Sequence, residues 1–433
     1  MSSALPFPLR TYRVLLRAAG LMTPVLLRRR AREGKEDLER AGERRGFGGF
    51  ERPGGPLVWI HGASVGEVLA AAGLIEGLRA LRLRILLTSG TVTSAEIVAK
   101  RFPQDIIHQY LPFDSPRYVT RFLDHWQPSL ALFIESDLWP NLILSGKARR
   151  LPMVLVNGRM SPRSFPRWRR FPESIGELLS SFEMCLAQSQ ADGERFTALG
   201  GRNVTVTGNL KLDVPAPPAG EGKLLALAVA TRGRPVIIAA STHPGEEEIV
   251  LEAHQALQNF FPTLLTILVP RHAARGEAVA ASIASSGVRV ALRSRDEFPV
   301  ETTDIYVADT MGEMGLFYRL SPVVLMGGSF IEHGGQNPIE AIKLGAAVVH
   351  GPHTFNFSEV YDALDRAGGA RLTSDMDTLV RQLGQWLSNP PVRQAAVDKA
   401  VVVVEQLGGA LEKTLTALEP YLLQLRLERS ADA

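Results

Sequence analysis

The stretch Leu57-Val-Trp-Ile-His-Gly-Ala-Ser-Val-Gly-Glu67 decides the fold of this chain. It is an apolar run typical of a buried strand, followed by a glycine turn and the start of a helix. Main-chain N–H groups and the positive end of the helix dipole favour the ionised form of Glu67. Since ligands of an open α/β sheet bind outside the carboxyl ends of its strands, Glu67 stands where a reacting group is expected. The simpler interpretation of this stretch alone is an acidic residue that complements its own helix.

Further apolar runs alternate with helical patterns along the rest of the chain, which predicts parallel, doubly wound sheets. Strands are expected at residues 57–60, 84–88, 129–134, 153–157 and 184–188, and again at 236–240, 264–269, 288–292, 305–307, 323–326 and 347–350. The segments 66–81 and 93–101 have helical periodicity. Between the two halves, residues 213–222 are rich in proline and glycine, as linkers are. We therefore predict two Rossmann-like domains that face each other across a cleft.

Composition agrees with this organisation. A chain of 433 residues with 45% apolar and 21% charged residues suits two globular domains. Its single cysteine, Cys185, allows no intrachain disulfide, fits a reducing compartment and is expected to be a core thiol. The net charge is only +3, and basic residues are not interleaved with aromatic ones, so no nucleic-acid partner is expected.

The N-terminal segment is basic and amphipathic. Apolar residues between Tyr12 and Leu27 are interrupted by Arg13, Arg17 and Pro24 and are followed by basic residues 28–32. A membrane-spanning helix needs about 20 mainly apolar residues, so this segment is too polar to span a bilayer. It either lies on an anionic membrane surface or packs as a helix on the body of the protein with a solvated basic face.

Polar residues follow several predicted strands of the first half. Glu135-Ser-Asp137 comes after strand 129–134, and its simpler interpretation is a helix N-cap with a paired carboxylate. Arg159 lies in a polar, basic loop after the next strand, suited to an anionic or sugar ligand or simply solvated. Lys211, just before the linker, is expected to project into the cleft and stabilise a developing negative charge, or to be a solvated lysine.

In the second half, residues suited to bind a phosphate follow several of the predicted strands. Arg271 can bind a phosphate or carboxylate in two contacts, and Asp309 after strand 305–307 most simply caps a helix. The strongest pattern is Met326-Gly-Gly-Ser329 followed by Gly334-Gly-Gln-Asn-Pro-Ile-Glu340, where a second glycine pair opens a helix with a proline in its first turn. Such N–H groups bind phosphates, and Glu340 can reach ribose hydroxyls. This loop predicts a nucleotide-linked ligand, and no zinc-type spacing competes with it.

Together these motifs resemble the 3-deoxy-D-manno-octulosonic acid (Kdo) transferases, over about residues 40–364. In the first half the likeness rests on His61-Gly-Ala-Ser-Val-Gly-Glu67, Tyr110-Leu-Pro-Phe-Asp114, Glu135-Ser-Asp-Leu-Trp-Pro-Asn141 and Gly208-Asn-Leu-Lys211. In the second half it rests on Ala240-Ser-Thr-His243, Gly245-Glu-Glu-Glu248, Pro270-Arg-His272, Asp309-Thr-Met-Gly-Glu313, Gly327-Gly-Ser329, Gly334-Gly-Gln-Asn-Pro-Ile-Glu340 and Gly351-Pro-His-Thr-Phe-Asn-Phe357. The chain departs from the family's usual residues at Gly62, Asp137 and Gln336, and only the change at Asp137 leaves a role in doubt.

The resemblance implies an inverting GT-B glycosyltransferase that transfers Kdo from CMP-Kdo to lipid IVA, with no cofactor and no metal. By family analogy Glu67 is the general base, and Glu135 and Lys211 assist. The implied CMP-binding residues are Pro270, Arg271, Met311, Gly312, Glu313, Asn337, Pro338, Ile339 and Glu340. Further possible substrate contacts are Ser64, Gly66, Asp137, Arg159, Ser241, Thr242, His243, Gly328, Ser329 and Gly335.

The resemblance also gives the basic segment a purpose, because the implied acceptor is an anionic lipid at the cytoplasmic face of the bacterial inner membrane. We divide the chain into a membrane-associating segment at 1–33, an acceptor-binding domain at 34–213, a linker at 214–222 and a CMP-sugar-binding domain at 223–433. The last apolar helix, about residues 411–427, is free to pack on either half. Two alternatives stay open: a GT-B transferase that uses a UDP- or ADP-sugar, and a non-catalytic two-lobed binding protein.

Overall fold

The computed structural model describes residues 5–102, 105–135, 137–213 and 215–431. These residues form two compact units, one made of Met1–Asp213 with Gly408–Ala433 and the other of Val214–Leu407. Each unit holds one seven-stranded, fully parallel sheet with helices, which confirms the predicted α/β class with two Rossmann-like domains. Of the segments predicted above, residues 1–4, 103–104, 136, 214 and 432–433 lie outside the described part of the chain.

The chain begins with two short helices that belong to the first unit. Helix α1 is Phe7–Ala19 and helix α2 is Thr23–Arg32, with a 3-10 turn between them. Pro24, expected to break this segment, stands in the first turn of α2, where its missing N–H costs no hydrogen bond. No helix among the described residues is both long and apolar enough to cross a membrane.

The first unit contains β1 Leu57–His61, β2 Arg84–Ser89, β3 Ile106–Tyr110, β4 Leu130–Ile134, β5 Met153–Gly158, β6 Met184–Ala187 and β7 Val204–Val206. Its helices are α3 Val65–Ala70, α4 Ala72–Ala80, α5 Val92–Arg101, α6 Pro116–Trp126, α7 Pro140–Ala148, α8 Ser164–Trp168, α9 Pro172–Leu179 and α10 Gln190–Ala198. The strand order is β3-β2-β1-β4-β5-β6-β7. Every residue of β1 and β4 is buried, as expected for central strands covered by helices on both faces.

The second unit contains β8 Val236–Thr242, β9 Leu265–Pro270, β10 Val290–Leu292, β11 Ile305–Val307, β12 Val323–Met326, β13 Ala347–His350 and β14 Ala370–Leu372. Its helices are α11 Glu221–Ala230, α12 Glu246–Gln258, α13 Gly276–Ala284, α14 Met314–Leu320, α15 Ile339–Lys343, α16 Ser358–Ala367, α17 Met376–Ser388 and α18 Pro390–Leu407. The strand order is β10-β11-β9-β8-β12-β13-β14.

The last helix, α19 Ala410–Ala431, packs on the first unit. Its Leu411 and Leu415 lie over Gly73 and Gly77 of α4. A Cβ added at Gly73 would lie 3.0 Å from the Leu411 side chain, and one added at Gly77 would lie 3.2 Å from the Leu415 side chain. Asp213 anchors the start of the helix by accepting the main-chain N–H of Gly409 at 2.8 Å. The second unit therefore ends at Leu407, and of the two packings left open for the last helix the structure has the one on the first unit, where Gly73 and Gly77 leave room for these leucines.

The predicted strands are all present, and the strands that the pattern did not predict are β3, β7 and β14. Each of them is an edge strand of its sheet. An edge strand is covered incompletely, so it tolerates polar residues such as those of Ile106-Ile-His-Gln-Tyr110 and loses the continuous apolar run that marks a buried strand. The helix predicted at 66–81 is divided into α3 and α4 at Ala71.

Candidate active site

The order of strands marks one crevice in each unit. In the first sheet the chain passes from β1 to β2 and β3 on one side, and β4 lies on the other side of β1. In the second sheet β8 and β12 have the same relation. The loops that leave such neighbouring strands diverge, and ligands bind between them. The loops after β1 and β4 carry Glu67 and Glu135, so the first crevice holds both predicted carboxylates.

Glu67 lies in the first turn of α3 and is held by hydrogen bonds on both carboxylate oxygens. Its Oε2 accepts the main-chain N–H of Ala63 at 2.7 Å, and its Oε1 accepts the Ser64 hydroxyl at 2.9 Å. Ser64 in turn caps the helix by accepting the N–H of Glu67. The side chain is only partly buried. Glu67 is therefore fixed in orientation at the mouth of the sheet and still reachable by a substrate.

Burial raises the pKa of Glu67 above its ordinary value, and the negative charge of Glu135 acts in the same direction. The hydrogen bonds from Ala63 and Ser64 and the proximity of His61 oppose this rise without cancelling it. We expected the helix start to favour the ionised form, and the net direction is the reverse because desolvation outweighs those contacts. A raised pKa makes Glu67 a stronger base once it is ionised.

Glu135 and Lys211 form the second element of the site. Lys211 Nζ donates to Glu135 Oε1 at 2.5 Å, although the two residues lie 76 positions apart in the chain. Glu135 has a φ of 63°, the left-handed region that a non-glycine residue rarely adopts. Such strain clusters at functional sites. The structure thus brings together Glu135 and Lys211, two of the three residues predicted to act in catalysis.

Asn157 was not predicted and connects these two residues. It is the last but one residue of β5, has a φ of 56° and follows Val156, whose carbonyl accepts the N–H of Glu135. Its side-chain Oδ1 accepts the N–H of Leu210 at 2.9 Å, which fixes the 3-10 turn that carries Lys211. An asparagine that ends a predicted strand and tolerates a left-handed conformation was the available signal.

Asp137 lies in the same loop and is oriented by a histidine and a tryptophan. Its Oδ2 accepts from His61 Nε2 at 3.2 Å and from Trp139 Nε1 at 2.7 Å. Because an ionised carboxylate only accepts, Nε2 of His61 carries a proton. His61 is buried and its Nδ1 lies 3.0 Å from the hydroxyl of Thr88. Asp137 is thus tied to the end of β1, the strand that leads to Glu67.

Asp114, in a motif quoted above but not assigned a role, fixes the start of α7. Its carboxylate accepts the main-chain N–H groups of Asn141 and Leu142, each at 2.9 Å, and the hydroxyl of Tyr12 at 3.0 Å. Burial raises the pKa of Asp114 to about 7. Tyr12 belongs to α1, so Asp114 connects the N-terminal helix to the loop that carries Asp137.

Two more residues of the first unit were predicted to contact substrate, and both are exposed. Gly66 lies in α3, and Arg159 comes directly after β5. Gly62 is a tight position, because a Cβ there would lie 3.2 Å from the N–H nitrogen of Val68 and 3.3 Å from the Cβ of Glu67. A larger residue at position 62 would therefore press on the turn that orients Glu67.

In the second unit, the predicted CMP-binding segments lie at the carboxyl ends of β9 and β11. Arg271 is exposed, and its N–H donates to the carbonyl of Thr242. Met311 is 77% exposed and Gly312 has a φ of 79°. The carboxylate of Glu313 accepts from Arg293 at 3.0 Å, from Lys223 at 2.6 Å and from the Thr310 hydroxyl, and these contacts, Arg293 first, lower its pKa to about 2. Glu313 therefore shapes the loop through internal ion pairs.

The glycine loop differs in detail from the prediction. Gly334 and Gly335 have φ values of 99° and 73°, and the helix that follows begins only at Ile339, with Pro338 as its N-cap residue. The glycines thus form the loop itself, while the five-residue α15 starts later. The other residues predicted to bind CMP here make contacts within the protein. Asn337 Oδ1 accepts the N–H of Ile339, and both Pro338 and Ile339 are buried. Glu340 is partly buried beside Tyr318.

The loops after β8 and β12 hold the remaining predicted contacts. Ser241 has a φ of 57° at a bulge of β8, and the Thr242 hydroxyl donates to Glu247. The N–H of Gly328 donates to Glu246 at 2.7 Å. Ser329 was predicted to touch substrate, but its hydroxyl is buried between the carbonyl of Met326 and the N–H of Gly351. Its role is structural, because both bonds join neighbouring strand ends.

Among the residues that the structure describes, no group of three or more His, Cys, Asp and Glu side chains is arranged to hold a metal ion. Cys185 is buried, and burial raises the pKa of its thiol to about 12. It is the predicted core thiol.

Comparison with known proteins identifies relatives of the chain. The family described as 3-deoxy-D-manno-octulosonic-acid transferase (kdotransferase) matches residues 39–214. A 3-deoxy-D-manno-octulosonic acid transferase of Haemophilus influenzae is 36% identical over 391 residues, which cover 89% of this chain and 92% of the relative.

Solved structures share the fold at low sequence identity. A UDP-GlcNAc 2-epimerase from Neisseria meningitidis has a TM-score of 0.56 at 15% identity, covering 84% of this chain and 100% of its own. A glycosyltransferase from Rickettsia africae also has a TM-score of 0.56, at 13% identity, covering 86% and 99%. These likenesses confirm the GT-B class of fold. Since an epimerase and a transferase share it, the fold alone does not set the reaction.

Proposed function

Since this chain belongs to the family of 3-deoxy-D-manno-octulosonic acid transferases, we propose that it is an inverting enzyme of lipopolysaccharide synthesis that moves Kdo from CMP-Kdo to lipid IVA. That it is a glycosyltransferase follows from the family. The donor, the acceptor and the residue roles are our proposal. The observation that carries it is the crevice of the first unit, where Glu67 stands near the Glu135–Lys211 pair.

In the proposed reaction Glu67 acts as the general base. A hydroxyl oxygen of the acceptor attacks the anomeric carbon of Kdo while its proton passes to the Glu67 carboxylate. The bond between that carbon and the CMP phosphate oxygen breaks, and the electron pair leaves with CMP. One base and no protein nucleophile give displacement with inversion. Ala63 and Ser64 hold the carboxylate in one orientation, which favours a positioned proton transfer.

Lys211 and Glu135 assist as a pair. Lys211 Nζ donates to Glu135 Oε1 at 2.5 Å, and this contact holds the ammonium group in one position. A cation held in position stabilises the negative charge that develops in a transition state. We assign to Asp137, whose orientation is fixed by His61 and Trp139, the role of a hydrogen-bond acceptor for the acceptor sugar.

The second unit is proposed to bind the nucleotide. Arg271 forms no ion pair with any described residue, so its guanidinium can pair with the CMP phosphate. Gly334 and Gly335 form the loop that we propose lies beside that phosphate, and packing against Phe355 and His353 leaves little room for a Cβ at either position. Met311 and Gly312 are exposed and directly precede Glu313 in the chain. The ion pairs of Glu313 hold this loop in the position that we propose for binding the nucleotide.

The N-terminal helices are proposed to hold the enzyme at the cytoplasmic face of the inner membrane. Large apolar side chains are exposed there, with Phe7 at 72%, Leu21 at 78% and Val25 at 60%. The basic residues 28–30 and 32 follow directly. Apolar contact and basic charge are two weak signals that add at an anionic bilayer surface.

Product analysis tests the proposal. The purified protein is incubated with lipid IVA and freshly made CMP-Kdo, and the products are weighed by mass spectrometry. A mass increase of one or more Kdo residues with release of CMP is expected. In parallel, the thermal stability of the protein is measured with CMP and with UDP. Stronger stabilisation by UDP, or no Kdo transfer, would contradict the proposed donor.

A further inference from the structure

A group of three histidines, His243, His272 and His333, lies in the crevice of the second unit. We refer to these residues as the imidazole cluster. The ring centroids of His243 and His333 are 3.8 Å apart, and those of His243 and His272 are 6.3 Å apart. His243 follows β8 and His333 lies in the loop after β12, the two strands whose loops diverge at the crevice. Ligands of such a sheet bind at this position.

Two acidic side chains near the cluster, Glu246 and Glu247, are engaged in other contacts. Glu246 accepts the main-chain N–H groups of His243 at 3.0 Å, Gly328 at 2.7 Å and Phe330 at 3.1 Å. Glu247 accepts the guanidinium of Arg275 at 2.9 Å. These carboxylates therefore build the loops and do not neutralise the rings.

The surroundings of the cluster are electropositive. Burial, then His333, His272, Arg271 and Arg275 lower the pKa of His243 to about 4, so its ring is neutral near pH 7. Gln336 presents its side-chain amide nitrogen to His243 Nε2 at 3.2 Å. With that amide donating, the proton of the neutral ring lies on Nδ1, and the ring is a hydrogen-bond donor there. A hydrogen-bond donor next to the guanidinium group of Arg271 favours an anion.

We propose that the imidazole cluster is the subsite for the carboxylate of the transferred sugar acid. This inference rests on the proposed function and deepens it. In a 2-ulosonic acid the carboxylate is attached to the anomeric carbon itself, so it lies beside the phosphate oxygen that leaves. Arg271, the proposed phosphate ligand, is the direct neighbour of His272 in the chain. The carboxylate and the phosphate of CMP-Kdo would then contact two adjacent sets of hydrogen-bond donors.

This subsite would also set donor specificity. A neutral hexose on a nucleotide has no carboxylate to satisfy the cluster, and unpaired donors in a partly desolvated site cost affinity. The strained φ of 57° at Ser241, two residues before His243, places the ring at the bulge that ends β8. We therefore assign the cluster to recognition of the acid and not to the chemical step.

The test compares a ligand that carries the carboxylate with one that lacks it. KM for CMP-Kdo and the inhibition constant for CMP are measured for the wild type and for His243→Leu and His333→Ala. We expect KM for CMP-Kdo to rise about tenfold or more, in line with loss of hydrogen bonds to a charged group. The inhibition constant for CMP should stay within about twofold, because CMP carries no carboxylate for the cluster to bind. Arg295→Ala removes an exposed cation of the same unit and serves as the control.

The CMP constant also shows whether each variant is folded, and His333 is exposed, so its substitution does not disturb a core. Equal loss of CMP and CMP-Kdo would overturn the carboxylate assignment in favour of the phosphate. Unchanged values for both ligands would overturn any role of the cluster. If the wild type binds CMP but transfers no Kdo, the proposed function itself fails, which is a separate result.

Discussion

At the scale of single residues, the proposed reaction depends most on Glu67. Replacing it by glutamine keeps the shape of the side chain and removes the base. We expect Glu67→Gln to lower kcat by about 10²–10⁴-fold, the usual contribution of a general base, with CMP affinity unchanged because the nucleotide is assigned to the second unit. Steady-state transfer rates and CMP inhibition measure the two effects. Glu96→Gln, an exposed change on α5, is the matched control.

The raised pKa of Glu67 predicts the pH profile of the same reaction. A base works only when ionised, so activity is lost as the pH falls through its pKa. Because burial raises that pKa, the acid limb of kcat/KM should lie above the range of an ordinary glutamate. A limb at or below that range would show that the hydrogen bonds from Ala63 and Ser64 prevail in solution.

What could be predicted at this scale depended on position along a strand. Glu67 and Glu135 follow apolar runs, so the rule that sites gather at strand ends pointed to them, whereas Lys211 was predicted from its place just before the linker and from the family resemblance. Asn157 and His61 act through contacts with residues far away in the chain, such as Leu210 and Asp137. A linear pattern does not contain those pairings, which arise only when parallel strands are placed side by side.

At the scale of elements, Asp114 holds the first turn of α7. Asp114→Asn leaves one fewer acceptor oxygen for the N–H groups of Asn141 and Leu142 and the hydroxyl of Tyr12. A buried donor without a partner costs about 1–3 kcal/mol. We expect the free energy of unfolding to fall by this order, as measured in urea. Ser388→Ala, an exposed change at the end of α17 in the second unit, is the control.

Asp114 also predicts a pH dependence of stability. Its folded pKa of about 7 lies above the ordinary value of 3.8, so the folded protein holds the proton more tightly than the unfolded chain. The stability that Asp114 contributes is therefore complete below about pH 4 and is lost as the pH rises toward 7, by at most about 1.4 kcal/mol per pH unit. The difference in unfolding free energy between wild type and Asp114→Asn should shrink from pH 5 to pH 8. An increase would contradict the raised pKa.

Helix α19 gives a second prediction at this scale. Leu418 is fully buried on the first unit, whereas Leu423 on the same helix is 54% exposed. Leu418→Ala should cost about 2–5 kcal/mol, the usual range for a buried leucine, and Leu423→Ala much less. Hydrogen exchange of the full chain should lose protection in β1 and α4 and keep it in the second unit. Loss confined to the second unit would contradict the packing of α19.

The fate of α19 also shows what an element's own sequence leaves out. Its apolar pattern predicted a buried helix correctly, but two glycines on α4, more than 330 positions earlier, decide where it is buried. The edge strands β3, β7 and β14 were not predicted, for a related reason. Their structure depends on a single neighbouring strand, so their sequences carry only a weak apolar pattern of their own.

At the scale of the whole molecule, the N-terminal helices are part of the folded body as well as a proposed membrane surface. Leu9 and Leu27 are buried, and the Tyr118 hydroxyl donates to the carbonyl of Gly20 at 2.6 Å. Deleting residues 1–32 would therefore damage the first unit and release it from a membrane at once. Substitutions on the exposed face separate these effects.

Two variants test the membrane surface through its two components. Leu21→Asp combined with Val25→Asp removes apolar contact, and Arg28→Glu combined with Arg29→Glu removes basic charge. Each should weaken binding to anionic vesicles at least tenfold, because a buried apolar side chain is worth about 1.5–3 kcal/mol and a basic residue about 1 kcal/mol near the surface. Sedimentation with vesicles measures the binding. Leu225→Asp, an exposed leucine of the second unit, is the control.

Salt distinguishes the two components. At about 1 M salt the screening length falls to about 3 Å, so the contribution of the arginines should vanish and their variant should bind like the wild type. The apolar contribution persists in salt, so the variant at positions 21 and 25 should remain weaker than the wild type. The transfer rate on acceptor dispersed in detergent should be unchanged in both variants, since neither touches the crevice of Glu67. Unchanged vesicle binding in both variants would show instead that the exposed face of α1 and α2 is a solvated surface.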